Sequence, residues 1–345
     1  FIEHDKNSLS ISIIDGKITK VLNNNSNISI KNINNDDLYI EKKFLDFQKF
    51  FDNDYVLNIN SLMMNSGFYI NIKDNQQINI HISNSSNEKD LTVFQKNLIH
   101  CSKGSKVNIF EELNYNKNSK NNLVNFIELD EGSDTNHIIF QNNTNYSDLL
   151  TTSFTNCKRN SKYKQFILNF SKGSVRNHHY ANLLGENSSA YLDGIFFGSN
   201  YQYIDNKTQV NHNNPSCISS QRYKGILTDN AKASYLSKTL VNKIAQKTEA
   251  YQLSKGILLS ESSYYHSKPE LRIYADDVKC SHGSTIGPID KDLLFYLRSR
   301  GLNKKESTSL LIKSFFHDII SETKNENIIN KFNSYSNLWL SENNL

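Results

Sequence analysis

Cysteine is scarce in this chain: four in 345 residues, Cys101, Cys157, Cys217 and Cys280, far apart and with no C-x-x-C pair. That excludes a disulfide framework and a closed zinc finger, and a reducing cytosol suits it best. Proline falls to three, so turns must rest on other residues. No apolar run approaches the roughly 18 residues that a membrane helix needs. No long run of one charge occurs; a net +4 is spread over 39 basic and 35 acidic residues. Nucleic acid and membrane surfaces are therefore not expected as partners. G-x-S-x-G and P-loop motifs are missing, so the chain is not expected to carry its own ATP chemistry. No charged-then-apolar leader follows Phe1. The initial Met is missing too, which places the expected native N-terminus upstream.

Asparagine, in contrast, fills about one position in seven. Yet Lys243 to Leu302 contains none. A gap of that length in so pervasive a drift marks a segment where residue identity matters.

Between about 67 and 288 helical periods are rare, and short β-rich runs recur. Examples are "SKVNIFEEL" from 105, "LVNFIEL" from 123, "SKYKQFILNF" from 161, "SSAYLDGIFF" from 188 and "AYQLSKGILL" from 250. Small-residue corners introduce many of them: Lys103-Gly104-Ser105, Glu131-Gly132-Ser133, Lys172-Gly173-Ser174, Glu186-Asn187-Ser188. Such spacing reads as a sandwich, a barrel or a solenoid. Hairpin signals are nearly missing, with Asp15-Gly16 and Asp193-Gly194 the only good cases, and this favours a solenoid. Its abundant asparagines are expected to stack at the corners of successive rungs.

The ends differ. Residues 44–62 mix helical and strand patterns and suggest a helical lead-in. After Pro288 the period switches to 3.6. Asp290 can cap a helix that stops at Gly301, and Asn303 with Glu306 forms a capping box for the next. That helix carries Leu311, Ile312, Phe315, Phe316, Ile319 and Ile320 on one face, and a last one carries Ile328, Phe332, Tyr335 and Trp339. The expected domains are a mixed N-terminal region (1–66), a β-solenoid (67–288) and a helical domain (289–345).

The chemistry-bearing stretch is "YADDVKCSHGSTIGPID", 274–290. Read as a strand, it puts Asp276, Val278, Cys280 and His282 on one face, with Cys280 and His282 about 7 Å apart. A thiolate and an imidazole so placed could ligate a soft transition metal completed from elsewhere. A small packed thiol beside a hydrogen-bonded histidine fits the same pattern. Asp276 and Asp277 point to opposite faces and cannot converge on one ion without a bulge; a solvated turn, or salt bridges to Lys279 and Arg272, suits them better. His178 and His179 diverge likewise, and His212 and Cys217 flank a loop.

"KPELRIYADDVKCSHGSTIGPIDKDLLFYLRSRGL", 268–302, resembles the signature of the SufB/SufD family of iron–sulfur cluster assembly proteins, in its SufD branch. "DNKTQVNHNNPSCISSQRYKGIL" from 205 and "AQKTEAYQLSKGILLS" from 245 line up in order. The resemblance implies an all-β dominated fold, a right-handed parallel β-helix with a small C-terminal α-helical domain. It implies a non-catalytic scaffold subunit in the cytoplasm. A SufB-like partner would pair with it through the β-helix edges, and a SufC-like ATPase would bind its C-terminal helices. It further implies that His282, with Cys280 beside it, takes part in admitting iron at the SufB–SufD interface. A transient iron or cluster would be shared with the partner, and no cofactor would be held stably by the chain alone. SufB has a sulfur-accepting cysteine in the region matching "QLSKGILLS"; this chain has none there. The resemblance implies that the family's N-terminal helical part is expected to be absent or shortened in this sequence. The rival reading, from the solenoid pattern and the paired aspartates, is a polysaccharide lyase or hydrolase.

Overall fold

In a computed structural model of the chain, residues 8–24, 26–33, 42–45, 54–88, 90–115, 118–143 and 147–345 are described. Two sheets dominate them. A ten-stranded sheet runs in the order β19 (Val278–Pro288), β17 (Thr248–Leu258), β15 (Ile218–Leu227), β13 (Ser189–Gly198), β11 (Lys162–Asn169), β9 (Asp134–Gln141), β7 (Lys106–Asn114), β5 (Gln77–Ser85), β1 (Leu9–Ile14) and β2 (Lys17–Leu22). A nine-stranded sheet runs β18 (Tyr264–Ile273), β16 (Lys232–Val241), β14 (Tyr203–His212), β12 (Val175–Leu183), β10 (Asp148–Cys157), β8 (Lys120–Leu129), β6 (Thr92–Cys101), β4 (Phe68–Ile72) and β3 (Ile28–Asn32).

From β4 onward the chain alternates between the sheets, and every neighbouring pair is parallel, as from Val107–Thr135 to Thr248–Val278. This is the parallel β-helix expected from the recurrent runs. The first end is closed differently. β1 lies parallel to β5 but folds back on β2, and β3 runs antiparallel to β4. Asp15 and Gly16 turn that hairpin with φ of 52° and 81°, the double left-handed geometry of a type I′ turn. Asp193-Gly194 makes no hairpin; it lies inside β13, where the Tyr223 ring fills the space of a Cβ on Gly194.

One corner repeats with each turn of chain. Asn75, Gly104, Gly132, Asn160, Asn187, Ser216 and Lys247 all have φ between 56° and 71°. Each amide reaches the next turn's carbonyl, as Gly104 N donates to Glu131 O at 3.0 Å and Gly132 N to Arg159 O at 3.0 Å. Glycine and asparagine tolerate this conformation best, which is what the small-residue corners supply. Ser105, Ser133, Ser161 and Ser188 then donate to the carbonyl three residues back at 2.7–2.8 Å. The asparagine ladders do form, but mostly on strand faces. Asn108 donates to Asn79 and Asn136 to Asn108 at 3.0 and 2.9 Å, and Asn182 and Asn211 continue from Asn156 at 2.9 Å each.

Strand alternation sends one face into the solenoid and one outward. Inside lie Ile80, Ile109, Leu129, Cys157, Leu183, Leu192 and their neighbours. The outer face of the nine-stranded sheet is covered around Phe126, Phe154 and Tyr180, whose rings stack at 5.1 and 5.3 Å. Phe44 and Leu57 complete that cluster, Leu57 from helix α1 (Tyr55–Met63). The helical lead-in is thus present at 42–45 and 55–63, while 46–53 lie outside the described residues.

After β19 come α2 (Lys291–Ser299), α3 (Lys304–Ser321) and α4 (Glu326–Glu342). Asp290 caps α2 through the amides of Asp292 and Leu293, and Gly301 follows it with φ 96°. The capping box of Asn303 and Glu306 is formed. Helices α3 and α4 lay Ile312, Phe316, Ile319, Phe332 and Trp339 on Phe140, Phe170, Phe197 and Ile226, on the outer face of the ten-stranded sheet. Arg222 bridges Asp193 of the sheet and Glu322 after α3, at 2.7 and 2.5 Å. Among the described residues no helix is long and apolar enough to cross a membrane.

Candidate functional site

The last turn of the solenoid carries the motif. Asp276 and Asp277 form the bend between β18 and β19 rather than strand. The expected placement of Asp276 on the face of Cys280 is therefore corrected. Asp277 is held by its backbone: its carbonyl accepts from Lys247 N at 2.6 Å and its amide donates to Gln246 Oε1 at 2.9 Å. Lys279 pairs with Glu249 at 3.1 Å and Arg272 with Glu270, so neither bridges to the aspartates. Two carboxylates in a solvated bend do not build the acid–base pair of a solenoid lyase or hydrolase.

From Val278 the parity holds. In the parallel ladder, Val278, Cys280, His282 and Ser284 stand beside Thr248, Ala250, Gln252 and Ser254. Those four residues of β17 are all buried. Cys280 and His282 therefore extend inward-facing columns by one position. Among the described residues no strand follows β19 in its sheet, nor β18 in the other, so the columns end open. Cys280 stays half-buried, packed on Val241, Ala245 and Ala275. Burial pushes its thiol pKa up, against a smaller opposite effect of a backbone hydrogen bond with Ala250. His282 is exposed. The opposite strand adds Ser267, Pro269 and Leu271 beside the buried Tyr235, Ser237 and Thr239.

Beneath His282 lies a buried polar column that the sequence reading missed. Gln252 Nε2 and Gln221 Nε2 both donate to Thr239 Oγ1 at 2.8 Å. Thr208 Oγ1 donates to Gln221 Oε1 at 2.6 Å and lies 2.9 Å from Tyr235 OH. The only trace in the sequence is glutamine recurring at one register position, Gln221 and then Gln252.

The other candidates are held apart. His178 pairs outward with Asp205 at 2.7 Å, while His179 is buried on Thr155 at 2.9 Å. His212 is bound to Ser219 at 2.8 Å, and the buried Cys217 to Ser188 at 3.4 Å. Among the described residues no three of His, Cys, Asp and Glu converge as metal ligands. What this end offers is one thiol and one imidazole on an unpaired edge strand.

Just past that edge, α2 has no buried residue and exposes Leu293, Phe295 and Tyr296. The sequence identified this helix but not its isolation.

Residues 81–315 match the family "SUF system FeS cluster assembly, SufBD core domain". That is more than half of the chain. The chain belongs to the SufBD family. Relatives place it on the SufD side. It is 34% identical over 157 residues to the iron–sulfur cluster assembly protein SufD of Escherichia coli, covering 45% of this chain and 37% of that one. It is 33% identical over 202 residues to an iron–sulfur cluster assembly SufBD family protein of Synechocystis, covering 59% of this chain and 45% of the relative. SufD of Plasmodium falciparum is 27% identical over 242 residues, 68% of this chain and 16% of the relative. The chain thus spans less than half the length of these curated relatives. The matched segment contains the whole last turn, α2 and most of α3. This membership turns the choice between assembly protein and lyase toward the former.

Proposed function

We propose that this SufBD protein is a SufD-type scaffold subunit for building iron–sulfur clusters, acting without catalytic residues of its own. The observation that carries the reading is the open last rung: Cys280 and His282 occupy inward columns that no further strand closes. A second solenoid of SufB type, set edge to edge with β18 and β19, would complete both the hydrogen-bond ladders and the ligand set. Iron or a nascent cluster, as cargo, would then be held by Cys280 and His282 together with partner residues. Two ligands from one chain suit a cargo that must leave, because an incomplete set binds more weakly than a closed four-ligand site.

The exposed α2 lies immediately after that rung and suits a SufC-type ATPase. Movement of α2 would reach β19 along the chain itself, because only Pro288, Ile289 and Asp290 link the two. The test replaces His282 by Ala and measures iron content and cluster yield on the assembled complex. Both are expected to fall. Unchanged values would remove the metal role of His282.

A further inference from the structure

A groove of about 780 Å³ lies on the outer face of the ten-stranded sheet, beside the turn between α3 and α4. It is separate from the last rung. Its wall follows one outward register column, Asn79, Asn108, Asn136, Lys164 and Tyr191. The first three form the amide ladder described above. The fourth brings a cation, and Lys162 stands two positions away on the same strand face. Lys324, in the turn before α4, lines the same groove.

These three lysines lack what the other cations around them have. Arg222 is consumed by Asp193 and Glu322, and Lys331 pairs with Glu112. No ion pair joins Lys162, Lys164 or Lys324 to a carboxylate among the described residues. Lys162 lies instead over the Tyr191 ring, 5.5 Å from its centroid. Asp134 stands beside Lys162 in the ladder, and Glu322 and Asp193, both engaged by Arg222, also line the groove, with Glu322 feeling the charge of Lys164. The Lys164 pKa is lowered, first by burial, then by the charge of Lys162 and a side-chain hydrogen bond with it, and least by the charge of Lys324, with Asp134 opposing. Like charges brought together without partners are costly unless an anion joins them. The groove adds amide donors on one side and the apolar Phe110, Phe166 and Ile319 on another. A cavity of this size with a few converging polar groups is typical of small-molecule sites.

We propose that Lys162, Lys164 and Lys324 form the anion clamp of a binding site for a phosphorylated small molecule, its organic part lying on Phe110 and Phe166. Lysines act as point charges and serve phosphate well. The site does not depend on the assembly role.

The experiment titrates the full chain with inorganic pyrophosphate by calorimetry at low ionic strength, with citrate as the carboxylate comparison. Saturable one-site binding of pyrophosphate is expected. The double variant Lys162→Gln/Lys164→Gln should weaken it by about tenfold per lysine removed, whereas Lys279→Gln, at the far edge, should leave it unchanged. Three results overturn the proposal: no saturable pyrophosphate binding, equal affinity in the double variant, or citrate bound as tightly as pyrophosphate.

Discussion

His282 continues the ladder position of Gln252 one rung further, yet Gln252 is 3% exposed and His282 lies open to solvent. The same inward column passes from buried core to solvent within one strand spacing. A histidine there costs the fold little and remains available to another chain.

Thiol chemistry should separate the four cysteines. Cys101 and Cys157 are buried, and burial pushes their thiols up to about 12; Cys217 is buried too. Cys280 alone is partly open. A colorimetric thiol titration of the folded chain should modify one cysteine, slowly at neutral pH and faster as pH rises, because the thiolate is the nucleophile. Unfolded protein should show four. Cys280→Ser should leave none reactive in the native state. Two or more fast native thiols would contradict the burial pattern.

Acid should weaken the solenoid before its carboxylates titrate. Burial lowers the pKa of His179 and of His212 to about 3, His179 also feeling the charge of His137. An unfolded histidine takes its proton near pH 6.5. Stability is therefore complete above about pH 6.5 and falls as pH drops toward about 3, by about 1.4 kcal/mol per pH unit for each histidine. Urea midpoints between pH 7.5 and 5 should show this slope, and His212→Gln should flatten part of it. A pH-independent midpoint across that window would refute it.

Gly185→Ala should be strongly destabilising. A Cβ there would sit 2.0 Å from Arg159 N and 2.5 Å from Arg159 Cα. These are backbone atoms of the neighbouring corner and cannot swing aside. Overpacking of this kind costs about 1–3 kcal/mol, and chemical denaturation should show a loss of at least that order. Gly287→Ala, with nothing near its Cβ, is the control and should stay within about 0.5 kcal/mol.

Phe295→Ser should leave stability nearly unchanged, within about 0.5 kcal/mol, since the side chain is 74% exposed. Capture of a SufC-type ATPase by the chain should nonetheless drop at least tenfold. Lower stability with full capture would reverse the assignment of this helix.

Much of the fold was legible because it is local. Lys103-Gly104-Ser105 and Glu131-Gly132-Ser133 announced corners, since a left-handed φ followed by a hydroxyl that reaches back three residues is written in adjacent positions. The caps at Asp290 and Asn303 were legible for the same reason. Asp193-Gly194 misled because its glycine answers a ring 29 residues away, Tyr223 in the adjacent strand. The solvated turn at Asp276 and Asp277 was legible, because adjacent carboxylates cannot share a strand face; only the strand reading that carried Asp276 onto the face of Cys280 ran parity across that turn. Cys280 and His282 shared a face as expected, because strand parity is two and needs no partner. That their face lies at an open edge was expected only through the family resemblance, since exposure depends on which strands stand beside β19.

The sequence alone determined the repeating turn, its corners, the helical tail and the pairing of one thiol with one imidazole, because each rests on contacts between residues a few positions apart. Only the tertiary structure decided that both sheets end unpaired at β18 and β19, that α2 stands clear of the core, and that three lysines share one groove. Those outcomes depend on coiling about 30 residues at a time, which brings distant positions into register and leaves the last ones without a neighbour.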